Sequence, residues 1–314
     1  MRSRLRSTFP ALLLAAAAPL AAASRVERTM NLGPGGRFRL DADVGTVTVT
    51  GRSGSGAHVL FSSSRIDLDD RLRFQFDEGP GSATVTARYR RRSIWFEGWK
   101  GRVDVTIEIP FETAVDIRTS GGSITLAKTK LPAKLRTSGG RVAVNDLSAD
   151  LDADTSGGSI EVRDVAGSAR VRTSGGGIEA SRIHGSLDAG TSGGSVRIED
   201  IGGDVKAHSS GGPIRIVNGA GRIDADTSGG GVDVTFAKGN GRGGRIESSG
   251  GGIVVSLDPS VKLEIDAHGD RVESDLPLTT HRGFSRESIQ GSLNGGGPML
   301  RLETSGGSVR IRSL

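Results

Sequence analysis

The sequence predicts an all-β protein: a parallel β-solenoid wound in 18-residue coils, with two main strands per coil and irregular capped ends. Three observations predict it. The hexad [T/S]-S-G-G-x-[I/V] begins at Thr119, Thr137, Thr155, Thr173, Thr191, Ser209 and Thr227, each 18 residues after the last, and returns at Ser248 and Thr304. Between hexads, apolar and polar residues alternate in two short runs, the pattern of strands with one buried face. On the polar side, residues 18 apart alternate in charge through Lys134, Asp152, Arg170, Asp188, Lys206 and Asp224. Side chains one coil apart in a parallel stack lie ~4.8 Å from each other, where opposite charges stabilise and like charges destabilise. An antiparallel meander would not make residues 18 apart into neighbours.

Composition narrows the function classes. Of 314 residues, 49 are Gly and only 4% are aromatic, which disfavours long helices and a thick core. The chain has no Cys, so disulfides, thiolate metal sites, a catalytic Cys and a lipidated N-terminal Cys are excluded.

In chain order, residues 1–23 read as a secretory signal: Arg2, Arg4 and Arg6, an apolar run from Phe9 to Leu20, then Ala21-Ala22-Ala23. The run is shorter than the ~20 residues that span a bilayer, and no transmembrane segment is expected after cleavage. Cleavage removes three Arg and no acid, so the formal charge of +5 falls to +2 in the mature chain. That balance does not point to nucleic acid, which wants a concentrated basic face. Residues 24–110 read as an N-terminal coil, with Phe38 to Val49 as its strands and stacking from about residue 26, followed by a capping β region with an aromatic-rich hairpin.

Residues 111–237 read as seven regular coils. Inward columns such as Ile124, Val142, Ile160, Ile178 and Val196 face smaller ones such as Leu135, Ala153, Val171, Ala189 and Ala207. Segments such as Asp164 to Ser168 bend the chain between runs, and the Thr/Ser column reads as a hydroxyl ladder along the stack. Right-handed winding is the default for parallel crossovers. A left-handed hexapeptide helix would put Ala166 and Arg172 inside and is rejected. Residues 238–314 read as irregular C-terminal coils and a cap, with an excursion at Leu276–Asn294 and a last coil at Arg301–Arg312.

The TSGG-x-I repeats, the run Val272-Glu-Ser-Asp-Leu-Pro277, and the ending Leu293-Asn-Gly-Gly-Gly297 with Leu302-Glu-Thr-Ser-Gly-Gly-Ser-Val309 resemble the bacterial putative-adhesin family of secreted β-strand-repeat proteins, DUF4097, over roughly residues 26–314. The resemblance implies a secreted or envelope-associated repeat protein with an adhesive role. It carries no functional residues over.

Few residues of the sequence carry a chemical signature. Gly239-Asn-Gly241-Arg-Gly-Gly244 fits G-x-G-x-x-G, but Arg245-Ile246-Glu247 continues as a strand and supplies no helix N-terminus for a pyrophosphate. No G-x-S-x-G marks a nucleophile elbow. His58, His184, His208, His268 and His281 show no ligand spacing. The Ser-Gly-Gly bends carry no Asp and the ladder Asp are paired with cations one coil away, unlike calcium-binding solenoids, so a calcium-free stack without metal or cofactor is expected. Carboxylates outside the ladder, such as Asp67, Asp69, Asp70 and Glu97, form no clear pair.

The exception is Arg88 to Lys100, where Tyr89, Arg90, Arg91, Arg92, Trp95, Phe96 and Trp99 make a candidate binding patch. Aromatic and Arg side chains stack on sugars or meet anionic surfaces. The same residues would also serve as a hairpin capping the open core. The function expected is an exported, non-catalytic solenoid that presents a repetitive surface for binding or adhesion in the periplasm, at the cell envelope or outside the cell. Its partner would be an envelope glycan, a surface protein or an anionic surface. The alternatives are a carbohydrate-active enzyme (a polysaccharide lyase or hydrolase) on the same scaffold, and a structural spacer.

Overall fold

In a computed structural model, residues 24–64, 67–90, 102–282 and 285–314 are described; they form sheets of 14 and 15 strands and one four-residue helix. The signal reading at 1–23 lies outside the described residues. The N-terminal part holds β1 (Ser24–Met30), β2 (Gly36–Ala42), β3 (Thr46–Arg52), β4 (Ala57–Ser63), α1 (Leu68–Arg71), β5 (Leu72–Gly79), β6 (Ser82–Tyr89) and β7 (Asp104–Pro110). Coils follow as strand pairs: β8 (Thr113–Thr119) with β9 (Ile124–Thr129), β10 (Ala133–Thr137) with β11 (Val142–Leu147), and β12 (Leu151–Thr155) with β13 (Ile160–Val165). They continue as β14 (Ala169–Thr173) with β15 (Ile178–Ile183), and β16 (Leu187–Thr191) with β17 (Val196–Ile201). Two more are β18 (Val205–Ser209) with β19 (Ile214–Gly219), and β20 (Ile223–Thr227) with β21 (Val232–Phe236).

From β8 to β21, odd strands stack in the first sheet and even strands in the second, all parallel and in the register of the repeat except for a shift between Val217 and Gly219 where β19 meets β21. Lys134 lies opposite Asp152, and Asp152 opposite Arg170. This is the solenoid that the 18-residue period predicts.

The coils bury six side chains, or five where Gly219 takes the sixth position, rather than the four that the two alternating runs indicate. In one coil these are Ile160, Val162, Val165, Ala169, Val171 and Thr173, none more than 6% exposed. The extra apolar column exists because Asp164 adopts φ 57, which turns Val165 inward where strict alternation would turn it out. The same left-handed backbone recurs at Lys128, Asp146, Arg182, Asp200 and Asn218. Each buried aliphatic adds roughly 1.5–3 kcal/mol, so the narrow core gains its thickness from this column.

At both ends, stacking order departs from chain order. Strands β2 and β3 lie between the strands of two later coils: β2 pairs with β6 and β8, and β3 with β7 and β9, all parallel. Strand β1, which contains residue 26, forms the outer edge of the first sheet. Strand β1 pairs antiparallel with β4, which pairs antiparallel with β7, and β5 closes the other sheet antiparallel to β6. The C-terminal part holds β22 (Gly244–Ser248), β23 (Ile253–Leu257), β24 (Leu263–His268), β25 (Arg271–Ser274), β26 (Thr279–Arg282), β27 (Ser288–Leu293), β28 (Met299–Thr304) and β29 (Ser308–Ser313). The last coil, β28 with β29, is inserted between β22/β23 and β24/β25. Strands β27 and β26 then cap β24 antiparallel.

Antiparallel caps cover edges that would otherwise offer unpaired backbone to another chain. Phe38 and Phe61 are fully buried in the N-terminal part, where Phe74 meets Phe61 edge-on at 4.8 Å between ring centroids. No helix among the described residues is long and apolar enough to cross a membrane.

Candidate binding surface

Strand β6 carries Tyr89 and the chain then reaches Arg90. The Tyr89 N–H donates to Asp43 (3.0 Å), and the half-buried phenol is pushed above its ordinary pKa by burial first and by the Asp43 charge second. The neighbouring Arg88 bridges Asp41 and Asp43. Arg90 donates its N–H to Arg71 O and its Nε to Leu72 O, both at 3.0 Å, and so ties β6 to the edge strand β5. Arg91, Arg92, Trp95, Phe96 and Trp99 lie outside the described residues, as does Glu97. Asp67 caps α1 by accepting the Asp69 N–H at 3.0 Å.

The second sheet presents the most regular outer face. Its central column runs Arg39, Asp116, Lys134, Asp152, Arg170, Asp188, Lys206, Asp224 and Arg245 in register, alternating in sign at every step. The alternation thus crosses the junction where the N-terminal coil is inserted. Asp188 accepts from Arg170 (3.2 Å) and Arg172 (3.0 Å), and Asp152 from Lys134 (3.5 Å) and Arg136 (3.4 Å). Asp224 instead pairs with Arg222 of its own coil at 3.0 Å. These pairs are exposed, so each is worth about 0–1 kcal/mol, and their larger effect is to fix register.

Two grooves flank this ridge. One, of about 980 Å³, follows the bend that contains Asp150, Ser168, Ser186 and Asp204. Those side chains are occupied by the fold. Asp150 accepts the Ser168 N–H (2.8 Å), Ser168 Oγ that of Ser186 (3.1 Å), Ser186 Oγ that of Asp204 (3.2 Å) and Asp204 that of Arg222 (2.8 Å).

The other groove, of about 660 Å³, runs beside the TSGG bends from Ala42 to His208, past seven stacked strands. At ~4.8 Å per rung it is ~29 Å long. Ser120, Ser138, Ser156, Ser174 and Ser192 line it, and their exposed hydroxyls make no hydrogen bond among the described residues. Arg118, Arg136, Arg172, Asp41, Asp154 and His208 form its opposite wall. At Gly190 that wall has a gap, because a side chain there would meet nothing closer than Arg172 at 3.9 Å. Sequence reasoning took the serines as part of the bend. The signal that separates them is their recurrence in all nine hexads at a position the fold leaves exposed.

The bend itself is held by the preceding Thr, and here the expected hydroxyl ladder is corrected. Each Thr hydroxyl bonds backbone, not its counterpart one coil away. Thr173 Oγ1 donates to Gly158 O (2.7 Å) and accepts the Gly176 N–H (3.2 Å), and Thr155 and Thr191 repeat the pattern. A hydroxyl pointing inward meets the carbonyls of the coil below before it can reach another hydroxyl.

The structure also brings together a Ser–His–Asp set, Ser210, His208 and Asp226. His208 Nδ1 lies 2.5 Å from Asp226, and Nε2 lies 3.5 Å from Ser210 Oγ. Both His208 and Asp226 are more than half exposed, whereas a working triad orients its imidazole with a buried acid and supplies oxyanion donors. The nearby N–H groups of Ser210 and Gly212 are already given to Thr191 O (3.2 Å) and Ser209 Oγ (2.9 Å). The arrangement orients His208 without assembling a nucleophile. Gly239 to Gly244 leads into strand β22, as expected, and Asn240 of that loop is buried with its amide on Gly219 O and Gly221 O. Among the described residues, no three His, Asp or Glu side chains converge on a point that could hold a metal.

No curated protein matches the chain. Among solved structures, the chain is similar to a "putative lipid binding protein" of Parabacteroides distasonis (11% identity, 92% of this chain and 97% of that one, TM-score 0.41). It is also similar to a "putative adhesin" of Parabacteroides merdae (10% identity, 92% and 96%, TM-score 0.40) and one of Bacteroides fragilis (14% identity, 93% and 97%, TM-score 0.33). The model of the Toastrack DUF4097 family matches residues 39–312, nearly the whole length of the two sheets, and the chain belongs to that family.

Proposed function

We propose that the protein is an exported, non-catalytic β-solenoid that binds an extended envelope glycan along the serine-lined groove of its second sheet. The observation that carries this reading is the row of unpartnered hydroxyls at one-coil spacing beside a wall of guanidinium and carboxylate groups. A linear polymer of hydroxylated units offers a donor and an acceptor at each step, and many weak contacts add along ~29 Å. The pairing of the ridge carboxylates with cations, Asp152 and Asp188 one coil away and Asp116 and Asp224 within their own coils, favours binding over acid–base catalysis, which needs a carboxyl left with a raised pKa. Export rests on residues 1–23, and the stretch from Tyr89 to Trp99 is proposed as a second contact at the N-terminal end.

Retention of the mature protein on immobilised envelope glycan tests the reading. Ser156→Arg with Ser174→Arg should fill the groove and cut retention about tenfold or more while the melting temperature stays within a few degrees. Unchanged retention would refute the groove. Release of reducing ends from the glycan would refute the non-catalytic assignment. Trp95→Ala with Trp99→Ala should weaken retention further if that stretch is a contact.

A further inference from the structure

On the opposite face, the first sheet has a cavity of about 300 Å³ lined by Arg163, Glu179, Ser181, Arg182, Arg197 and Glu199. Ser181 lies at its floor. It is on the outer face of β15, with Arg163 one coil below and Glu199 one coil above in register. Long side chains on both sides leave Ser181 only 8% exposed, although it faces away from the core. Its hydroxyl has no hydrogen-bond partner among the described residues. An unpartnered hydroxyl at the floor of a cavity is open to a ligand group that donates or accepts.

The groups around Ser181 divide into occupied and free. Arg163 reaches Glu161 (2.6 Å) and Glu179 (3.2 Å), and Arg182 grips Asp164 through two bonds of 2.6 and 2.8 Å. Arg197 and Glu199 hold no ion pair or hydrogen bond among the described residues. Like charges stand side by side here, Glu179 beside Glu161 and Arg197 beside Arg215, where the second sheet alternates. In the same column Glu179 stands opposite Arg197 and Arg215 opposite Asp233, so like and opposite neighbours mix on this face.

We propose that this cavity is a binding site for a single neutral, polyhydroxylated ring of hexose size, distinct from the groove on the second sheet. A volume of about 300 Å³ is at the lower end for small-molecule sites, which run from ~300 to ~1,000 Å³. An anion would sit against Glu179 and Glu199, and a cation against Arg163, Arg182 and Arg197. A ring whose hydroxyls both donate and accept satisfies the carboxylates, the free Arg197 and the Ser181 hydroxyl together. No aromatic side chain lines the cavity, so one unit binds weakly, in the millimolar range of about −4 kcal/mol.

Amide-resolved NMR titration of the mature chain with glucose, galactose and N-acetylglucosamine, and with inorganic phosphate as the anionic probe, tests this. Saturable shifts confined to residues 163, 179–182 and 197–199 are expected with at least one neutral sugar. Ser181→Gln, which fills the floor, and Arg197→Ala, which removes the free guanidinium, should each weaken that binding about tenfold or more. Because both positions are on the outer face, melting temperatures should be preserved, and Arg197→Ala serves if Ser181→Gln fails to fold. The proposal is overturned if no neutral sugar saturates, if phosphate saturates the cavity in preference, or if binding survives in a folded variant. Groove variants such as Ser156→Arg should leave these shifts intact, so failure here and failure of the glycan-groove reading are separate results.

Discussion

The two bends of a single coil solve the same problem by different chemistry. At the TSGG bend, the second glycine is compelled by space: a Cβ on Gly158 would lie 2.0 Å from the carbonyl oxygen of Gly140 in the coil below, and on Gly194 2.2 Å from that of Gly176. The first glycine is not so confined, since a Cβ on Gly157 would be 3.6 Å from its nearest neighbours. At the opposite bend, the chain reverses through a left-handed residue that is never glycine in the regular coils; it is Lys128, Asp146, Asp164, Arg182, Asp200 or Asn218. Four of those six are Asp or Asn, the side chains that tolerate this region best. Coil contact acts at both bends, since a Cβ on Gly185 would lie 2.6 Å from Gly167 O and one on Gly221 2.4 Å from Gly203 O, but only the opposite bend also needs a left-handed residue to reverse the chain. The first should fail when volume is added, and the second should improve when strain is removed.

The largest test is Gly158→Ala against Gly157→Ala. The former forces adjacent coils apart at the bend and should cost at least 2–3 kcal/mol, with loss of cooperative melting, while the latter should change stability by less than about 1 kcal/mol. Equal effects would mean that the close stacking of carbonyl on glycine does not hold in solution. Next in size is Thr173→Val, an isosteric change that leaves Gly158 O and the Gly176 N–H without their partner. Removing one member of a buried hydrogen-bond pair costs about 1–3 kcal/mol, to be read from urea midpoints. Ser174→Ala next to it is the control and should be nearly silent in stability, because its hydroxyl supports no backbone group.

The contrast between bends also explains how much could be read in advance. The period, the facing columns and the charge alternation were legible because every coil repeats them at a spacing of 18. The column of Leu147, Val165, Ile183 and Ile201 repeats just as strictly, yet alternation alone assigns it to a bend, since only a left-handed residue before it turns it inward. Insertion of the terminal coils was hidden because it breaks the spacing. Arg39 meets Asp116 across 77 positions, and the bend of β2 and β3 offers a single Gly45, whose carbonyl accepts from Thr119 at 3.2 Å. Charge complementarity between those strands was the one available clue. The serine row was in plain view but not separable from the bend until the hydrogen bonds of its Thr neighbours were known. The cavity over Ser181 depends on which side chains overhang a small one, and no spacing encodes that.

A smaller effect comes from relieving strain at the opposite bend. Lys128, at φ 58, is exposed and holds no ion pair among the described residues. Left-handed backbone costs a residue with a Cβ roughly 1–2 kcal/mol, and glycine gives back part of that through the freedom of its unfolded chain. Lys128→Gly should therefore stabilise the protein by about 0.5–1 kcal/mol, a rise of a few degrees or less in melting temperature. A fall would show that the lysine side chain contributes contacts that outweigh the backbone term.

The smallest expected effect separates the bends by pH. Hydroxyls and amides alone hold the TSGG bend, and neither titrates between pH 3 and 8. The opposite bend contains Asp164, whose carboxyl is held below its ordinary pKa chiefly by the hydrogen bonds from Arg182, against a smaller opposing effect of burial. A lowered folded-state pKa means that this contribution is fully present above the unfolded value of about 4 and is lost as pH falls through the folded one. The pair is exposed and screened, so the change is modest, about twofold in local protection. Amide-exchange protection at the His184 N–H, which donates to Val165 O across this bend at 2.9 Å, should fall on going from pH 6 to pH 3. Protection at the Gly175 N–H, which donates to Ser156 O at 2.9 Å in the TSGG bend, should hold after correction for intrinsic exchange. Asp164→Asn should abolish the difference, since its amide does not ionise. A pH response of the same size at both bends would assign the acid sensitivity to the whole stack and remove the distinction drawn between them.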